Sequence, residues 1–303
     1  MIARASRTSR WVAWLVLLAS ASSVSQAQAE PNPSCRFVRV ATCGGFLEGL
    51  VIDKERRLWA MDVTGGRIIE ILTDGACMER ARTGGNPNGA RLLPDGRFLI
   101  ADWDGLFSFD TKTFELKAIP LTYDGKPVTG LNDLSFDEEG GLYVTVPGKS
   151  TVLNPDGRLL YVAPDGSVQL VSDKLAYPNG VAVSADGATV LVSEFAAKRI
   201  LSLPTATARS GVQMSYVHSN TQGGIGIDGM LLLESGKLIG ANFGAREIVA
   251  IDSIGKAVAI PLPETAGRFT TNVALDGAML YVSEAEKGEI WRLSLSDIAA
   301  CAK

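Results

Sequence analysis

The sequence predicts an all-β fold, a six-bladed β-propeller with four-stranded blades around a central metal channel. Three observations predict the blades. Short apolar runs recur without long helical periodicity, turn residues precede many of them, and one polar position repeats in six successive units. Evenly spaced short strands are typical of sandwiches, barrels and propellers, and a repeat of about 40 to 50 residues favours a propeller.

The strands are predicted from short runs that alternate or stay apolar. Clear examples cover residues 58–61, 98–101 and 142–144. Turn clusters, such as the Pro-Asp-Gly at residues 94–96, come directly before strands. Asp bonds to nearby backbone groups and Gly accepts positive φ, so each cluster with its flanking runs predicts a β-hairpin.

One polar, oxygen-bearing residue stands just before the predicted first strand of each unit. Its occurrences are spaced by 40, 44, 47, 49 and 44 residues, close to the length of one four-stranded blade. Six such units predict six blades. Two domains, or an open pair of β-sandwiches, would explain neither the spacing nor the shared residue. The six residues are Glu48, Asn88, Asn132, Asn179, Asp228 and Asn272.

The chain ends are predicted to meet. The fragment of residues 35–40 has no hairpin partner nearby, so we expect it to supply the outer strand of the last blade and leave no unpaired edge. Cys35, Cys43, Cys77 and Cys301 permit two disulfides with three connectivities. A bridge from Cys301 to the N-terminal region suits such a closure, and free buried thiols are the alternative.

The first 29 residues are predicted to be a signal peptide. Three arginines precede an apolar run over residues 11–24, and Ala27-Gln28-Ala29 offers a small-residue cleavage site. An uncleaved membrane anchor is the alternative, although the run is shorter than the roughly 20 residues that span a bilayer. Residues 30–303 are then expected to form a single propeller domain, periplasmic or secreted.

Charge limits the partners. The formal net charge is −4, and loss of the three leader arginines makes it more negative. Phosphate backbones and anionic membranes demand clustered Lys and Arg, so nucleic acid and, after cleavage of the leader, membrane are disfavoured. The sequence favours a small molecule and a cation as partners of a monomer.

The six repeated residues predict a cation site. The innermost strand of each propeller blade faces the channel, so residues that open these strands converge on the axis. They form a ring of two carboxylates and four amides. Such oxygen ligands suit a hard cation such as Ca²⁺ and are a poor set for Zn²⁺ or Cu²⁺. Otherwise these residues merely make turns, a reading strongest for Asn88, because Asn-Gly is a turn dipeptide.

Four motifs in these units carry a resemblance to a known family. They are Glu48-Gly49, Asn132-Asp133, Asn179-Gly180 and Asp228-Gly229-Met230. From about residue 45 to 295 the chain resembles the senescence marker protein/gluconolactonase/luciferin-regenerating enzyme (SGL) family. The resemblance implies a six-bladed propeller whose members hydrolyse sugar lactones or related esters. It also implies a channel ion, usually Ca²⁺ but exchangeable for other divalent ions such as Zn²⁺, Mn²⁺ or Mg²⁺, bound by Glu48, Asn132, Asn179 and Asp228.

Further roles are expected around this ion. The resemblance places Asp228 beside the substrate, as general base, as a water-orienting group or as a ligand only. Asn88 and Asn272 occupy the remaining blades of the ring, where we expect contact with substrate or ion-bound water, and Trp103 could wall the pocket. Many sugar-lactonase members carry an Arg where this chain has Gly130, which makes a gluconolactone-like substrate less secure than the metal site.

A second polar ring is expected where the next strand of each unit returns to the same face. We expect it to hold neighbouring loops by accepting backbone hydrogen bonds. Val146 interrupts it. The single histidine, His218, is predicted on an outer strand, which argues against Ser-His-Asp and Cys-His catalysis. The members of this second ring are Asp62, Asp102, Glu194, Asn242 and Glu284.

The sequence thus predicts a divalent-metal-dependent hydrolase of a small lactone or ester, gluconolactonase-like, with the ion as Lewis acid and water as nucleophile. The alternative is a non-catalytic propeller that binds a ligand or a protein, since a fold does not fix a function. A propeller synthase or lyase is disfavoured, because such relatives lack the metal set.

Overall fold

Six four-stranded antiparallel sheets form the six blades of a β-propeller, as predicted. The computed structural model describes residues 35–210 and 213–301. Strand β1 (Val38–Thr42) comes first and belongs to the last blade. Blade 1 contains β2 (Leu47–Ile52), β3 (Leu58–Asp62), β4 (Arg67–Ile71) and β5 (Cys77–Arg82). Blade 2 contains β6 (Pro87–Leu92), β7 (Arg97–Asp102), β8 (Gly105–Asp110) and β9 (Leu116–Ile119).

The remaining blades follow in chain order after a small hairpin of β10 (Thr122–Tyr123) and β11 (Lys126–Pro127). Blade 3 contains β12 (Leu134–Phe136), β13 (Leu142–Val146), β14 (Gly157–Val162) and β15 (Val168–Leu175). Blade 4 contains β16 (Pro178–Val183), β17 (Thr189–Glu194), β18 (Arg199–Pro204) and β19 (Tyr216–Asn220). Blade 5 contains β20 (Gly226–Leu232), β21 (Leu238–Phe243), β22 (Glu247–Ile251) and β23 (Ala257–Pro261). Blade 6 contains β24 (Thr270–Asp276), β25 (Met279–Glu284) and β26 (Glu289–Ser294).

Strand β1 closes the ring by pairing antiparallel with β26, which makes it the outer strand of blade 6. This confirms the prediction for residues 35–40, although the strand itself lies slightly later. A disulfide between Cys35 and Cys301 joins the chain ends, and one between Cys43 and Cys77 ties the end of β1 to blade 1. The predicted bridge from Cys301 to the N-terminal region is therefore present.

Helices are short in the described part of the chain. They are a 3₁₀ turn (Phe195–Ala197), α1 (Thr205–Arg209) and α2 (Leu295–Cys301). None of the helices in that part is long and apolar enough to cross a membrane. The predicted signal peptide lies outside the described residues, so the leader and its cleavage stay predictions.

The apolar core lies between the blades. Six clusters are found among the described residues, one between each pair of neighbouring blades. Between blades 1 and 2, the Trp59 ring meets Phe98 and Phe109 edge-on, with centroids 5.5 and 5.6 Å apart. Because each blade is covered on both faces, middle strands such as β3 are buried along their whole length. This explains their continuous apolar sequence.

A β-bulge accompanies the repeated polar residue in five of the inner strands. In blade 1, Glu48 pairs with Met61 but Val51 pairs with Trp59, so β2 holds one extra residue. Bulges bend a strand and redirect its side chains. They correct the prediction that the polar residues precede their strands: five lie second or third inside them, and only Asn132 precedes its strand. The other bulges span residues 87–90, 178–181, 227–230 and 270–273.

Candidate metal centre and active site

The predicted ring residues lie at one end of the inner strands, and contacts between blades bring several of them together at the axis. The Asn272 amide of blade 6 donates to Glu48 of blade 1. The Asp228 carboxyl group of blade 5 interacts electrostatically with Glu48 and with the Asn179 amide of blade 4. Asn88 is half-buried on blade 2, whereas the other five ring side chains are buried.

Glycine lets neighbouring inner strands approach closely beside the ring. A Cβ on Gly49 would overlap the carbonyl oxygen of Asn88, and a Cβ on Gly180 would lie 2.5 Å from the carbonyl oxygen of Asp228. Gly49 also has a φ of +49°, which other residues rarely adopt. The Gly that follows a ring residue is thus a blade contact, and the Asn88-Gly89 pair lies in a bulged strand, not in a turn.

The two carboxyl groups of the ring are buried and interact electrostatically with each other. Burial raises the pKa of Glu48 to about 7. Burial, followed by the neighbouring Glu48 charge, raises the pKa of Asp228, while the Asn179 hydrogen bond opposes the rise. Two buried acids in contact cannot both ionise without a counter-charge. The pair must therefore hold a proton or face a cation near neutral pH.

The amides of the ring fall into two kinds. The Asn272 side chain donates to Glu48 Oε2 at 3.2 Å, and its oxygen accepts the Val273 N–H at 2.9 Å. Asn272 therefore positions Glu48 and has its oxygen occupied by its own backbone. The Asn132 oxygen Oδ1 is buried and has no hydrogen-bond partner among the described residues. An orphaned buried acceptor is costly unless an unseen donor or cation meets it.

A third buried carboxylate, Asp133, has its own counter-charge. The Arg91 guanidinium contacts it at 3.2 Å, and it accepts the backbone N–H groups of Leu134 and Val181 at 2.8 and 3.2 Å. Burial still raises the pKa of Asp133, and Arg91 opposes the rise. With Asp133 neutralised by Arg91, Glu48 and Asp228 remain as two uncompensated carboxyl groups.

The residues present fit a divalent cation. Two carboxyl groups without a counter-charge and one orphaned amide oxygen form an all-oxygen donor set, which suits a hard ion such as Ca²⁺. No group of three His, Cys, Asp or Glu that could hold a metal occurs within residues 35–210 and 213–301. Amide oxygens must therefore complete any site in the ring.

The second polar ring holds loops, as predicted. Asp62 accepts the Phe46 N–H at 3.0 Å, Asp102 accepts the Asn86 N–H at 3.0 Å, and Glu194 accepts the Ala176 N–H at 2.8 Å. Glu284 accepts three backbone N–H groups. Asn242 differs because it donates, to the Gln222 carbonyl at 2.9 Å and to Glu247.

Five half-buried aromatic side chains lie at the ring end of the blades, and the sequence reasoning assigned none of them. We call them the aromatic crown. Tyr177 stands two residues before Asn179. Burial, followed by the charges of Asp228 and Glu48, raises the pKa of the Tyr177 phenol. The predicted pocket residue Trp103 lies apart from the crown, beside Gly130, and is 40% exposed. The crown comprises Phe46, Tyr177, Phe195, Phe243 and Phe269.

His218 lies on β19, the outer strand of blade 4, as predicted. The ring residues lie on the inner strands, at the opposite edge of each blade. An imidazole on an outer strand cannot act as a base at the ring, which leaves the carboxyl groups as the proton acceptors there.

Comparison with known proteins agrees with this geometry. Residues 46–297 match the family described as SMP-30/Gluconolactonase/LRE-like region. The chain belongs to this family. The predicted resemblance is thereby confirmed over almost the span expected from the motifs.

Individual relatives of this SGL-family chain are distant. Lactonase drp35 of Staphylococcus haemolyticus is 30% identical over 195 residues, which are 61% of this chain and 57% of that protein. Lactonase drp35 of Staphylococcus aureus is 29% identical over the same length. The chain thus matches little more than half the length of these curated relatives.

Solved structures share the propeller over most of its length. A gluconolactonase from Xanthomonas campestris has a TM-score of 0.74 at 21% identity and covers 86% of this chain and 89% of its own. Regucalcin from Agrobacterium tumefaciens, a calcium-binding protein, has a TM-score of 0.71 at 23% identity, with 84% and 92% covered. At such identities the likeness shows the fold.

Proposed function

We propose that this SGL-family chain is a divalent-metal-dependent hydrolase of small lactones or esters. In this proposal Glu48, Asn132, Asn179 and Asp228 hold one cation, with Ca²⁺ the best match. The observation that carries the proposal is the burial of two interacting carboxyl groups, Glu48 and Asp228, neither of which forms an ion pair with a cationic side chain of the described residues. The orphaned oxygen of Asn132 supports it.

The charge balance supports one ion rather than two. Three carboxyl groups are buried around the axis, and Arg91 pairs with Asp133. One divalent cation neutralises the remaining pair of Glu48 and Asp228. A second divalent cation would leave excess positive charge in a buried site, which is costly.

The chemistry proposed for the site is ester hydrolysis by water. A divalent cation bound there supplies Lewis-acid polarisation of the scissile carbonyl and stabilises the developing oxyanion. The Asp228 carboxylate orients the water and takes its proton as the water oxygen bonds to the carbonyl carbon. The carbon–oxygen bond of the lactone ring then breaks, and its oxygen receives the proton, giving a hydroxy acid.

The names of the relatives support the same reading. They include lactonases, a gluconolactonase and a calcium-binding regucalcin. The two disulfides, Cys35–Cys301 and Cys43–Cys77, support a single exported domain, because disulfides persist in oxidising compartments. A periplasmic or secreted location is part of the proposal.

A hydrolysis screen tests the proposed function. The purified chain is assayed by pH-stat on a panel of lactones and esters, after chelation and after separate return of Ca²⁺, Zn²⁺, Mn²⁺ or Mg²⁺. The proposal predicts turnover that chelation removes and a divalent ion restores. Turnover that survives thorough chelation would contradict it. Metal binding without turnover on any member of the panel would favour the non-catalytic binding propeller.

A further inference from the structure

The aromatic crown joins four consecutive blades by direct ring contacts. The ring centroids of Tyr177 and Phe195 lie 5.6 Å apart, and Phe195 lies 5.9 Å from Phe243. Phe243 stacks on Phe269 at 4.7 Å, with 10° between the ring planes, and it lies 6.2 Å from Phe46. The contacts therefore run from blade 4 through blades 5 and 6 to blade 1.

The crown lies next to the ring rather than in the core between blades. Phe46 and Phe243 belong to blades 1 and 5, which are not neighbours, so their contact must pass across the end of blade 6. Phe46 and Tyr177 each stand two residues before a ring residue. All five aromatic side chains are half-buried, so part of each ring faces the space beyond the blades.

Members of the second polar ring fix the backbone of the crown residues. Asp62 accepts the backbone N–H of Phe46 at 3.0 Å, and Glu284 accepts that of Phe269 at 3.2 Å. Phe195 donates its N–H to the carbonyl of Tyr177 at 3.1 Å. A surface whose backbone is fixed in this way pays little conformational entropy when it binds a ligand.

The crown does not extend to blades 2 and 3. The half-buried Asn88 lies there, and Trp103 is exposed beside Gly130. A Cβ on Gly130 would have only the Trp103 ring nearby, at 4.0 Å. Gly130 thus leaves free space where a longer side chain would stand.

We infer that the aromatic crown is the specificity surface of the site and selects lactones that carry a flat, apolar substituent over polyhydroxylated lactones. The inference rests on the proposed lactone hydrolysis. The faces of the four Phe rings add stacking attraction to the burial of an apolar group and offer no hydrogen-bond partners to sugar hydroxyls. The Tyr177 hydroxyl is the one hydrogen-bonding side-chain group of the crown. The crown adjoins the carboxyl groups through Tyr177, whose phenol is influenced by the charges of Asp228 and Glu48.

Two lactones that share the γ-butyrolactone ring test the inference. They are γ-phenyl-γ-butyrolactone and γ-hydroxymethyl-γ-butyrolactone, which share the scissile ester and differ in one substituent. We expect kcat/KM to favour the phenyl compound by about tenfold or more. Phe243→Leu should reduce that preference about fivefold while keeping an apolar residue. The matched control Phe107→Leu, a half-buried aromatic on β8, should leave the preference unchanged.

The result that overturns the inference differs from one that overturns the function. Equal rates, or preference for the hydroxymethyl compound, would contradict the crown while leaving lactone hydrolysis intact. Equal effects of Phe243→Leu and Phe107→Leu would also contradict it.

Binding of the matching lactams decides the case if no lactone is turned over. Isothermal calorimetry with 5-phenyl-2-pyrrolidinone and 5-hydroxymethyl-2-pyrrolidinone, in the presence of Ca²⁺, measures recognition without hydrolysis. We expect tighter binding of the phenyl lactam, weakened about fivefold by Phe243→Leu. Equal binding of both lactams would overturn the inference.

Discussion

The two ends of the channel are built from the same six inner strands and are chemically opposite. At the ring end, carboxyl and amide side chains meet beneath the aromatic crown. At the other end, a cavity of about 350 Å³ is lined by aliphatic side chains such as Ile52, Val183 and Leu275. Among its lining residues, all in the described part of the chain, Arg91 is the one charged side chain.

The backbone explains the difference. Five inner strands carry a bulge at the ring end, and pairing becomes regular beyond it, from residues such as Val51 and Val273 onward. The bulged ends direct polar side chains to the axis, where the carboxyl groups are buried away from water. The regular ends bury apolar surface. Substitutions at the ring end should therefore change activity, and substitutions at the far end should change stability.

The largest effect is expected from the carboxyl groups of the ring. Asp228→Asn and Glu48→Gln should each lower kcat/KM about 1000-fold or more, because each removes half of the negative charge that faces the cation. The free energy of unfolding of the metal-free protein should stay equal or rise, since a buried acid is replaced by an amide. The control is Glu234→Gln, a substitution of an exposed residue on blade 5, the blade of Asp228. It should leave kcat/KM and the free energy of unfolding unchanged. Loss of folding in both ring variants would contradict the separation of the two ends.

Calcium should stabilise the fold through the ring alone. At a free Ca²⁺ concentration of about 100 times Kd, the free energy of unfolding should rise by about 2.7 kcal/mol. Thermal melts with and without Ca²⁺ measure this. Glu48→Gln should lose the increment, and Leu275→Ala at the far end should keep it. An increment that persists in Glu48→Gln would place the stabilising ion elsewhere.

The amides should separate by their hydrogen bonding. Asn132→Ala removes the orphaned oxygen and should weaken Ca²⁺ binding at least about tenfold, the scale seen when groups around a metal are lost. Asn88 is the half-buried member of the ring. Asn88→Ala should therefore change Ca²⁺ affinity less than about threefold and act mainly on KM. Calorimetry and steady-state kinetics distinguish the two. Equal losses of Ca²⁺ affinity would contradict the assignment.

Acid should weaken cation binding. Burial raises the folded-state pKa of Glu48 from 4.5 to about 7, so its favourable contribution to metal-free stability is complete below pH 4.5 and is lost as pH rises through 7. Ca²⁺ must displace that proton, so Kd should rise up to about tenfold per pH unit below 7. Titrations in buffers of different ionisation enthalpy should show proton release near neutral pH. A Kd independent of pH between 5 and 8 would contradict this.

The smallest functional effect is expected at the far end. Leu275→Ala removes a half-buried side chain from the aliphatic lining and should lower the free energy of unfolding by about 1–2 kcal/mol. The values of kcat/KM should stay within about twofold. Chemical denaturation and the lactone assay test the pair of outcomes. A large loss of activity at unchanged stability would show that the two ends are coupled.

The fold and the membership of the ring could be predicted because they depend on spacing along the chain. Six polar residues at blade-length intervals indicated six inner strands, and the fragment at residues 35–40 indicated closure. The bulges could not be predicted, because a bulge is defined by the register of two strands. For the same reason the sequence left a turn open as the alternative for Asn88-Gly89, which lies inside β6.

Contacts between blades also could not be predicted from the sequence. Arg91 and Asp133 are 42 residues apart and meet only when blades 2 and 3 pack. The Asn272 oxygen accepts the Val273 N–H. This choice of rotamer cannot be read from the spacing of the ring residues along the chain. The aromatic crown draws on four blades without a common period. Phe46 and Tyr177 each stand two residues before a ring residue, and that position is the one sequence signal that could have drawn attention to them.

The central claim is that one divalent cation lies among side-chain oxygens of Glu48, Asn132, Asn179 and Asp228. A crystal structure grown with Ca²⁺, with anomalous scattering from a substituted Tb³⁺, tests it most directly. We predict one strong anomalous peak per chain at the ring, within about 2.3–2.6 Å of these oxygens in the Ca²⁺ form. A peak elsewhere, or a ring that binds no ion under these conditions, would contradict the account.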